Sequence, residues 1–259
     1  MPPRYRYMKE LDILQRFAPI KLAEMDAVQL QFRMDTKYVF GTHRLNGLLE
    51  ELLPGYRLLE VNGARGVDYE TRYFDTNTLS HYLDHHNGKP LRTKVRVRRY
   101  GGSGLCVLEV KRKTGRGGTD KRRTPLQDFP ERLAGDHQAF AVLHSHSTGH
   151  LEPVLGNTFH RLTLVHRERL ERLTIDMDFA FSLHGTTKEM PGLCVAELKE
   201  GRTGHGSPFS AIMRRWAVPP VSFSKYCVGM ALMRPDIKRN TFKPVLLQAA
   251  RAATPATAT

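Results

Sequence analysis

The sequence predicts an α+β fold, because it combines two patterns that are typical of different secondary structures. Apolar residues recur at helical spacing near the N-terminus and in the stretches 43–53 and 207–216. Between them lie many short runs in which polar and apolar residues alternate, separated by glycine-rich turns. Alternation with a period of two is typical of a strand that has one buried face. Since no repeat, linker or change of composition divides the body, we predict one domain over residues 1–240.

Three stretches predict helices. Residues 8–31 carry leucines and other apolar residues at helical spacing, and Pro19 interrupts the pattern. The stretch 43–53 places four leucines on one side and ends at Pro54-Gly55. In the third stretch, Ser207 is the expected N-cap and Pro208 the first helical residue. The tail, residues 241–259, is rich in Ala and Thr, and we expect it to be disordered.

The charge of the chain indicates an anionic partner. Forty Lys and Arg residues stand against 26 Asp and Glu residues, which gives a net charge of +14. Such an imbalance produces self-repulsion in the folded state, so nucleic acid, an anionic membrane or a phosphorylated small molecule is the expected partner. Aromatic residues make up only 8% of the chain and do not alternate with the basic ones. We therefore expect no nucleic acid, whose binding normally uses stacking aromatic surfaces.

Other features limit the location of the protein and the chemistry of its site. The three cysteines show neither pairing nor metal spacing, which favours a reducing compartment. The N-terminus lacks the apolar core of a signal peptide, and no apolar run approaches the length that spans a bilayer. We therefore predict a cytoplasmic location. Gly115–Gly118 is not a P-loop, because no Gly-Lys-Ser/Thr follows it.

The basic residues follow the alternation of the strands. Between positions 92 and 100 one face carries only cations, namely Arg92, Lys94, Arg96 and Arg98, and the other face carries Thr93, Val95 and Val97. The next run places Glu109, Lys111 and Lys113 opposite Cys106, Leu108 and Val110. The pattern alone leaves open whether these charges face solvent, as surface salt bridges, or face inward.

An acid followed two residues later by a lysine occurs three times, as Asp35–Lys37, Glu109–Lys111 and Glu197–Lys199. In each pair both charges point to one side of a strand. Like charges at this density repel unless something lies between them. An anion with several phosphates would separate them, and the acids would hold a divalent metal, because Mg²⁺ and Mn²⁺ prefer carboxylate and phosphate oxygens.

The order of the motifs resembles the polyphosphate-polymerase (VTC) domain family. The resemblance covers residues 32–230 and depends on these segments in succession: Arg33-Met34-Asp35-Thr36-Lys37-Tyr38, Tyr73-Phe74-Asp75-Thr76, Lys94-Val95-Arg96-Val97-Arg98, Leu108-Glu109-Val110-Lys111-Arg112-Lys113, Arg172-Leu173-Thr174-Ile175-Asp176, Ala196-Glu197-Leu198-Lys199 and Phe223-Ser224-Lys225-Tyr226. It implies a triphosphate tunnel fold, which is a closed antiparallel barrel of about eight strands with helices packed outside. It also implies transfer of the γ-phosphoryl group of ATP to a growing polyphosphate chain, with Mn²⁺ or Mg²⁺ as cofactor.

The resemblance assigns roles to individual residues. The cations expected to act in phosphoryl transfer are Lys37, Arg96, Arg98, Lys111, Lys121 and Arg161. The residues expected to bind substrate are Lys94, Lys113, Arg172, Lys199, Ser224 and Lys225. Glu197 is the expected metal ligand. ATP and polyphosphate are the implied partners, together with a separately encoded membrane protein.

Three positions depart from the patterns of this and related families. Phe159 stands where the family often has Tyr, and Ser222 stands where a further Lys is often found. Arg33 stands where related triphosphatases have Glu, which favours the polymerase branch. Two alternatives stay open: a hydrolase of tripolyphosphate or nucleoside triphosphates, and a non-catalytic module that binds polyphosphate or inositol phosphates.

Overall fold

A computed structural model describes residues 12–25, 33–115, 118–201 and 206–254, without the side chain of Arg33. The strands are β1 (Ala18–Lys21), β2 (Arg33–Gly41), β3 (Tyr56–Glu60), β4 (Val67–Asp75), β5 (Leu91–Tyr100), β6 (Cys106–Thr114), β7 (Thr119–Leu126), β8 (Glu152–His166), β9 (Glu171–Leu183), β10 (Thr186–Met190) and β11 (Leu193–Gly201). The helices are α1 (Ile13–Arg16), α2 (Leu22–Met25), α3 (Leu45–Leu52), α4 (Ser80–His86), α5 (Gly135–Ser145), α6 (Pro208–Arg215), α7 (Lys225–Met233) and α8 (Lys243–Ala253).

The strands form one large sheet. Eight of them are hydrogen-bonded in the order β2-β11-β9-β8-β4-β5-β6-β7, and every neighbouring pair in this path is antiparallel. Strand β10 pairs with β9, β3 pairs with β8, and the short β1 runs parallel to β3. The predicted α+β fold and its antiparallel sheet are confirmed. In the part of the chain that the structure describes, β2 and β7 at the two ends are not paired with each other, so closure into a barrel is not confirmed.

The sheet is curved, so that β5 and β6 face β2 across a shared space. Burial lowers the pKa of Lys94 on β5 to about 8, and the next lowering influence is the charge of Lys37 on the distant strand β2. The pKa of Lys111 on β6 is likewise lowered, by desolvation and then by Lys37. Strands β5 and β6 stand sixth and seventh in the order that begins with β2, so these influences require a sheet that bends around a shared space. Packing agrees, because Val39 of β2 and Tyr73 of β4 are buried in one cluster with α7. The face that carries these lysines is therefore the concave face.

Helices cover the convex face. Val95 and Val97, which alternate with the arginines of β5, are buried with Leu108 and Val110 in a cluster that includes Ala141 of α5. A second cluster joins the outward residues of β2, β8, β9 and β11 to α1, α3 and α6. The apolar halves of β2, β5, β6, β8, β9 and β11 thus pack against helices, which leaves their charged halves on the concave side.

Helix α7 fills one end of the concave face. There the inward side chains change from charged to apolar, for example from Lys37 to Val39 on β2 and from Glu197 to Val195 on β11. Helix α7 packs so tightly against β8 and β9 that a Cβ atom at Gly229 would lie 2.4 Å from the ring of Phe181. Among the described residues, no helix is long and apolar enough to cross a bilayer.

Two of the three predicted helical stretches are confirmed. Residues 43–53 contain α3 after a short 3-10 turn, and Ser207 caps α6 by accepting a hydrogen bond from the backbone N–H of Ser210. The stretch 8–31 differs from the prediction, because its described part contains the strand β1 between the short helices α1 and α2. Pro19 lies within that strand, and residues 8–11 and 26–31 lie outside the described residues.

The prediction of a disordered tail is wrong for residues 241–253. A 3-10 turn at Asn240–Phe242 leads into α8, whose Val245 and Ala249 are buried. Alanine-rich sequence favours a helix once an apolar stripe finds a surface to pack on. Val39 and Leu193 belong to the buried cluster that provides such a surface. The end of α8 also lies close to Gly192, since a Cβ atom there would lie 2.7 Å from the carbonyl oxygen of Ala253. Residues 255–259 lie outside the described residues.

Candidate functional site

The structure brings the predicted cations together on the concave face. In the half of the face formed by β2, β11, β9 and β8, strand pairing places Lys37 opposite Glu197 and Arg161 opposite Asp176. In the other half, Arg96 lies opposite Glu109. The predicted residues that share this face are Lys37, Lys94, Arg96, Arg98, Lys111, Lys113, Lys121, Arg161, Arg172, Glu197 and Lys199. Ser224 and Lys225 join them from the start of α7.

Glu109 is the centre of the first charge cluster. Its side chain is 2% exposed, and its carboxylate lies 2.6 Å from Arg96, 2.6 Å from Lys121 and 3.3 Å from Arg123. Burial by itself raises the pKa of Glu109, but the charges of Arg96, Arg98 and Lys121 outweigh burial and hold the pKa well below its usual range. Three cations on one carboxylate leave this cluster with an excess of positive charge.

Asp176 is the centre of the second cluster. Arg161 donates two hydrogen bonds to its carboxylate, at 2.5 and 2.7 Å, and Lys225 of α7 contacts the same group. Burial raises the pKa of Asp176, yet Arg161 and Lys225 lower it to about 2. The ion pair with Asp176 fixes Arg161 through two of its nitrogens, Nε and Nη2, in the bidentate geometry that guanidinium groups use for carboxylates and phosphates.

A third cluster connects β2 and β11. The ammonium group of Lys199 lies 2.9 Å from Asp35 and 3.0 Å from Glu197, and Lys37 lies 3.7 Å from Glu197. Lys37 also donates a hydrogen bond of 2.7 Å to the carbonyl oxygen of Phe223, two residues before α7 begins. Among the side chains that the structure describes, this cluster sets two acids against two lysines, unlike the first two.

Lys94 and Lys111 have no carboxylate partner at salt-bridge distance in the described part of the chain. They lie opposite each other on β5 and β6. Lys111 also lies opposite Lys121 on β7. Three lysines on neighbouring strands thus face the same space. In this part of the concave face, a bound anion would gain the most electrostatic stabilisation.

Two stacked rings separate the cations at the middle of the face. Tyr69 and Phe159 are parallel, with ring centroids 5.0 Å apart. The guanidinium groups of Arg98 and Arg161 lie 5.2 and 4.9 Å from the centroid of Tyr69, and Lys225 lies 4.4 Å from that of Phe159. These cation–π contacts help to hold the three positive groups in place and add no negative charge to that of Asp176. Phe159 therefore has a positioning contact even though it lacks the hydroxyl group of tyrosine.

Some residues differ from their expected places. Ser224, which was expected to bind substrate, is the N-cap residue of α7. Its hydroxyl oxygen accepts a hydrogen bond from the backbone N–H of Cys227 at 3.3 Å. Asp178, which strict alternation along β9 would place on the face of Asp176, does not continue that face, because its φ of +54° and a bulge between Thr158 and His160 interrupt the alternation. Arg123 contacts Glu109 but is not among the residues that the sequence predicts, although its spacing from Lys121 places it on the same face.

The acids of the third cluster fit a divalent cation only in part. No group of three or more His, Cys, Asp or Glu side chains with metal-binding geometry occurs among the described residues. Asp35 and Glu197 nevertheless approach the same ammonium nitrogen within 3.0 Å. Mg²⁺ is often held by one or two carboxylates together with substrate phosphates. These two acids therefore fit a metal that phosphate oxygens help to coordinate.

The fold and the site together define a class of protein in which a curved antiparallel sheet presents a cation-rich concave face. The VTC domain family matches residues 32–234, and the chain belongs to this family. No curated protein matches the sequence.

Several solved structures are similar in fold. A putative adenylate cyclase from Bacillus halodurans is 13% identical with a TM-score of 0.42, and the match covers 74% of this chain and 94% of that chain. A putative adenylyl cyclase from Hippeastrum, described as having a dominant triphosphatase activity, is 14% identical with a TM-score of 0.43 and coverages of 76% and 96%. A protein from Pyrococcus horikoshii is 13% identical with a TM-score of 0.44 and coverages of 79% and 99%.

Proposed function

We propose that the chain is a metal-dependent polyphosphate polymerase, which transfers the γ-phosphoryl group of ATP to the end of a polyphosphate chain held on the concave face. The observation that carries this proposal is the excess of cations over acids on that face. Glu109 has three cationic partners, and Lys94 and Lys111 have no carboxylate at salt-bridge distance among the described residues. Membership of the VTC domain family supports the same substrate class.

A polyphosphate suits this arrangement because its charges repeat along a flexible chain. The cations lie on strands β2, β5, β6, β7, β8 and β11, so they contact a long anion from several sides. Arg96 and Arg161 are held in fixed orientations by Glu109 and Asp176, which suits bidentate binding of phosphate oxygens. Lysines such as Lys111 act as point charges with fewer directional demands.

The reaction needs orientation and charge neutralisation more than covalent help from the protein. An oxygen of the terminal phosphate forms a bond to the γ-phosphorus of ATP, the bond from that phosphorus to the β,γ-bridging oxygen breaks, and ADP leaves with the electron pair. The attacking oxygen is already ionised near neutral pH, so no side chain has to remove a proton. The tasks of Arg96, Lys111, Lys121 and Arg161 are to bring two polyanions together and to stabilise the charge on the transferred group.

A divalent metal fits the proposal at Glu197, with Asp35 as second ligand. When bound, Mn²⁺ or Mg²⁺ would supply charge neutralisation at the phosphate oxygens. Lys199 lies between the two carboxylates and would have to move toward the phosphates. Its ammonium group would then contribute to substrate binding, which is the role that the sequence predicts for it.

The test is incubation of the full chain with ATP and Mn²⁺, followed by analysis of the products. We expect ADP and polyphosphate from the wild type, and at least a tenfold loss of polymer in Arg96→Ala and Lys111→Ala. The two variants should differ in stability. Arg96→Ala leaves the buried Glu109 with fewer partners, whereas Lys111→Ala removes a repelling charge and should keep or raise the melting temperature.

The products also distinguish the alternatives. Release of free phosphate without chain growth would identify a hydrolase on the same sheet. Binding of tripolyphosphate without any turnover of ATP, under either metal, would identify a non-catalytic phosphate-binding module. Absence of tripolyphosphate binding would overturn the proposed phosphate site itself.

A further inference from the structure

The start of α7 is held from two sides. Lys225, its first residue, reaches Asp176 on β9 and lies over the ring of Phe159. Tyr226, its second residue, points in a different direction, because successive residues of a helix point about 100° apart. The ring of Tyr226 is 1% exposed and stacks on Tyr73 of β4 at 5.0 Å.

Asp75 fixes the far end of Tyr226. The phenol group of Tyr226 donates a hydrogen bond of 2.5 Å to the carboxylate of Asp75. The same carboxylate, which is fully buried, accepts hydrogen bonds from the backbone N–H groups of Thr76 at 2.7 Å and of His81 and Tyr82 at 2.9 Å. Asp75 thereby joins three elements, since it ends β4, holds the first turn of α4 and anchors α7.

This arrangement differs from the three charge clusters of the concave face. The donors to Asp75 are three backbone amides, a phenol and, at 3.5 Å, the hydroxyl group of Thr76, and the imidazole of His81 lies 3.5 Å away. No lysine or arginine contacts Asp75 in the described ranges. Its carboxylate is therefore positioned to orient protein groups and not to balance the phosphate-binding cations.

We infer that Asp75 and Tyr226 are positioning residues that set the direction of Lys225 toward the phosphates. A helix whose second residue is fixed both by ring stacking and by its hydroxyl group cannot rotate about its axis in the first turn. The direction of Lys225 is then fixed as well. This inference rests on the proposed phosphate site and adds a role for the aspartate of the Tyr73-Phe74-Asp75-Thr76 segment.

The experiment is a double-mutant cycle on the full chain, with the dissociation constant of inorganic tripolyphosphate measured by calorimetry. Tyr226→Phe removes only the hydroxyl group and keeps the stacking on Tyr73. We expect it to weaken binding three- to tenfold when Lys225 is present, and to have no effect in the Lys225→Ala background. A merely structural role would weaken binding by the same factor in both backgrounds.

Tyr82→Phe is the matched control. Tyr82 is also fully buried in this aromatic group, and its hydroxyl donates a hydrogen bond of 2.7 Å to the carbonyl oxygen of Lys238. We expect a similar fall in melting temperature and unchanged affinity for tripolyphosphate.

Two outcomes overturn the inference while the proposed function stands: unchanged affinity in Tyr226→Phe, or equal losses in the two backgrounds. If Lys225→Ala and Arg96→Ala both bind tripolyphosphate as the wild type does, the proposed phosphate site fails instead.

Discussion

Glu109 shows how a single buried acid shapes a site that is otherwise cationic. Its side chain is 2% exposed and touches two arginines and a lysine from β5 and β7. The acid keeps these cations at fixed distances, but it neutralises only one of their charges. A bound phosphate would therefore share the cations with Glu109.

Replacing Glu109 with Gln should destabilise the protein by about 3 kcal/mol, because it leaves buried cations without a counter-charge. Urea unfolding measures this loss of free energy. Saturating tripolyphosphate should reduce the difference from the wild type, since the ligand supplies the missing negative charge.

Glu70→Gln is the control for this change. Glu70 pairs with Arg99, and both side chains are at least one-third exposed, so the substitution should change stability by less than about 1 kcal/mol. Equal losses in the two variants, or no effect of tripolyphosphate on the Glu109 variant, would contradict the role given to the buried cluster.

The residues of the concave face could be predicted well, because a strand presents every second side chain to the same side. The alternation of Val95 and Val97 with the cations of β5 holds in the structure, where the valines pack against α5. The acidic partners of the cations on this face could not be predicted. Asp176 contacts Lys225, which lies 49 positions away in the chain, and only the fold brings the two together.

At the scale of elements, α8 depends on close approach to the hairpin turn between β10 and β11. Gly192 lies in this turn with φ +73°, and the backbone of Ala253 leaves no room for a Cβ atom. Gly185, in the turn between β9 and β10, has a similar φ of +77°, but nothing lies within 4 Å of its Cβ position. The two glycines share the strain of a left-handed backbone and differ in the contact with α8.

Gly185→Ala should lower the free energy of unfolding by about 1 kcal/mol, from backbone strain alone. Gly192→Ala should lower it by a further 1–3 kcal/mol or so, because the end of α8 must shift. Urea unfolding of both variants gives the difference. Indistinguishable values would show that α8 is not held at this turn.

Elements with a regular pattern were the predictable ones. Ser207 and Pro208 mark the start of α6 where the N-cap and first-turn rules place it. The strand β1 could not be predicted from the helical spacing around it, because its pairing with β3 is decided by residues 39 positions away. The Ala/Thr composition of the tail likewise did not reveal that Val245 and Ala249 have a surface to pack on.

At the scale of the whole molecule, burial affects several lysines in the same direction. It is the main cause that lowers the pKa values of Lys94, Lys121 and Lys225 to about 8. Because these folded-state values lie below the ordinary value of 10.5, the protonated lysines reduce stability below about pH 8. That reduction disappears as the pH rises from about 8 toward 10.5.

Phosphate binding should show the opposite trend. Tripolyphosphate needs the lysines protonated, so its affinity should fall about tenfold per contributing lysine between pH 7 and pH 9. Calorimetry over this range should give a flatter profile for Lys94→Arg, whose guanidinium group stays charged. Protonation of tripolyphosphate itself affects the wild type and Lys94→Arg equally, so any difference between their pH profiles comes from position 94. Identical profiles would exclude Lys94 from the binding site.

The large antiparallel sheet could be predicted from the sequence, but whether this sheet closes into a barrel could not. Alternating strands predicted a large antiparallel sheet, and the resemblance to the VTC domain gave its family. Closure depends on the meeting of β2 and β7, which are separated by the whole sheet and have no local signal. The separately encoded membrane protein that the resemblance implies stays a prediction.

The stacked pair of Tyr69 and Phe159 has a consequence for the ligand-free protein. Its rings keep Arg98, Arg161 and Lys225 in place through their electron-rich faces, which attract cations but carry no net charge. Carboxylates in the same positions would compete with an incoming anion for every contact. The rings offer no such competition. Arg161 and Lys225 share the single carboxylate of Asp176, and Arg98 has no carboxylate at salt-bridge distance among the described residues, so positive charge is left over for an arriving phosphate.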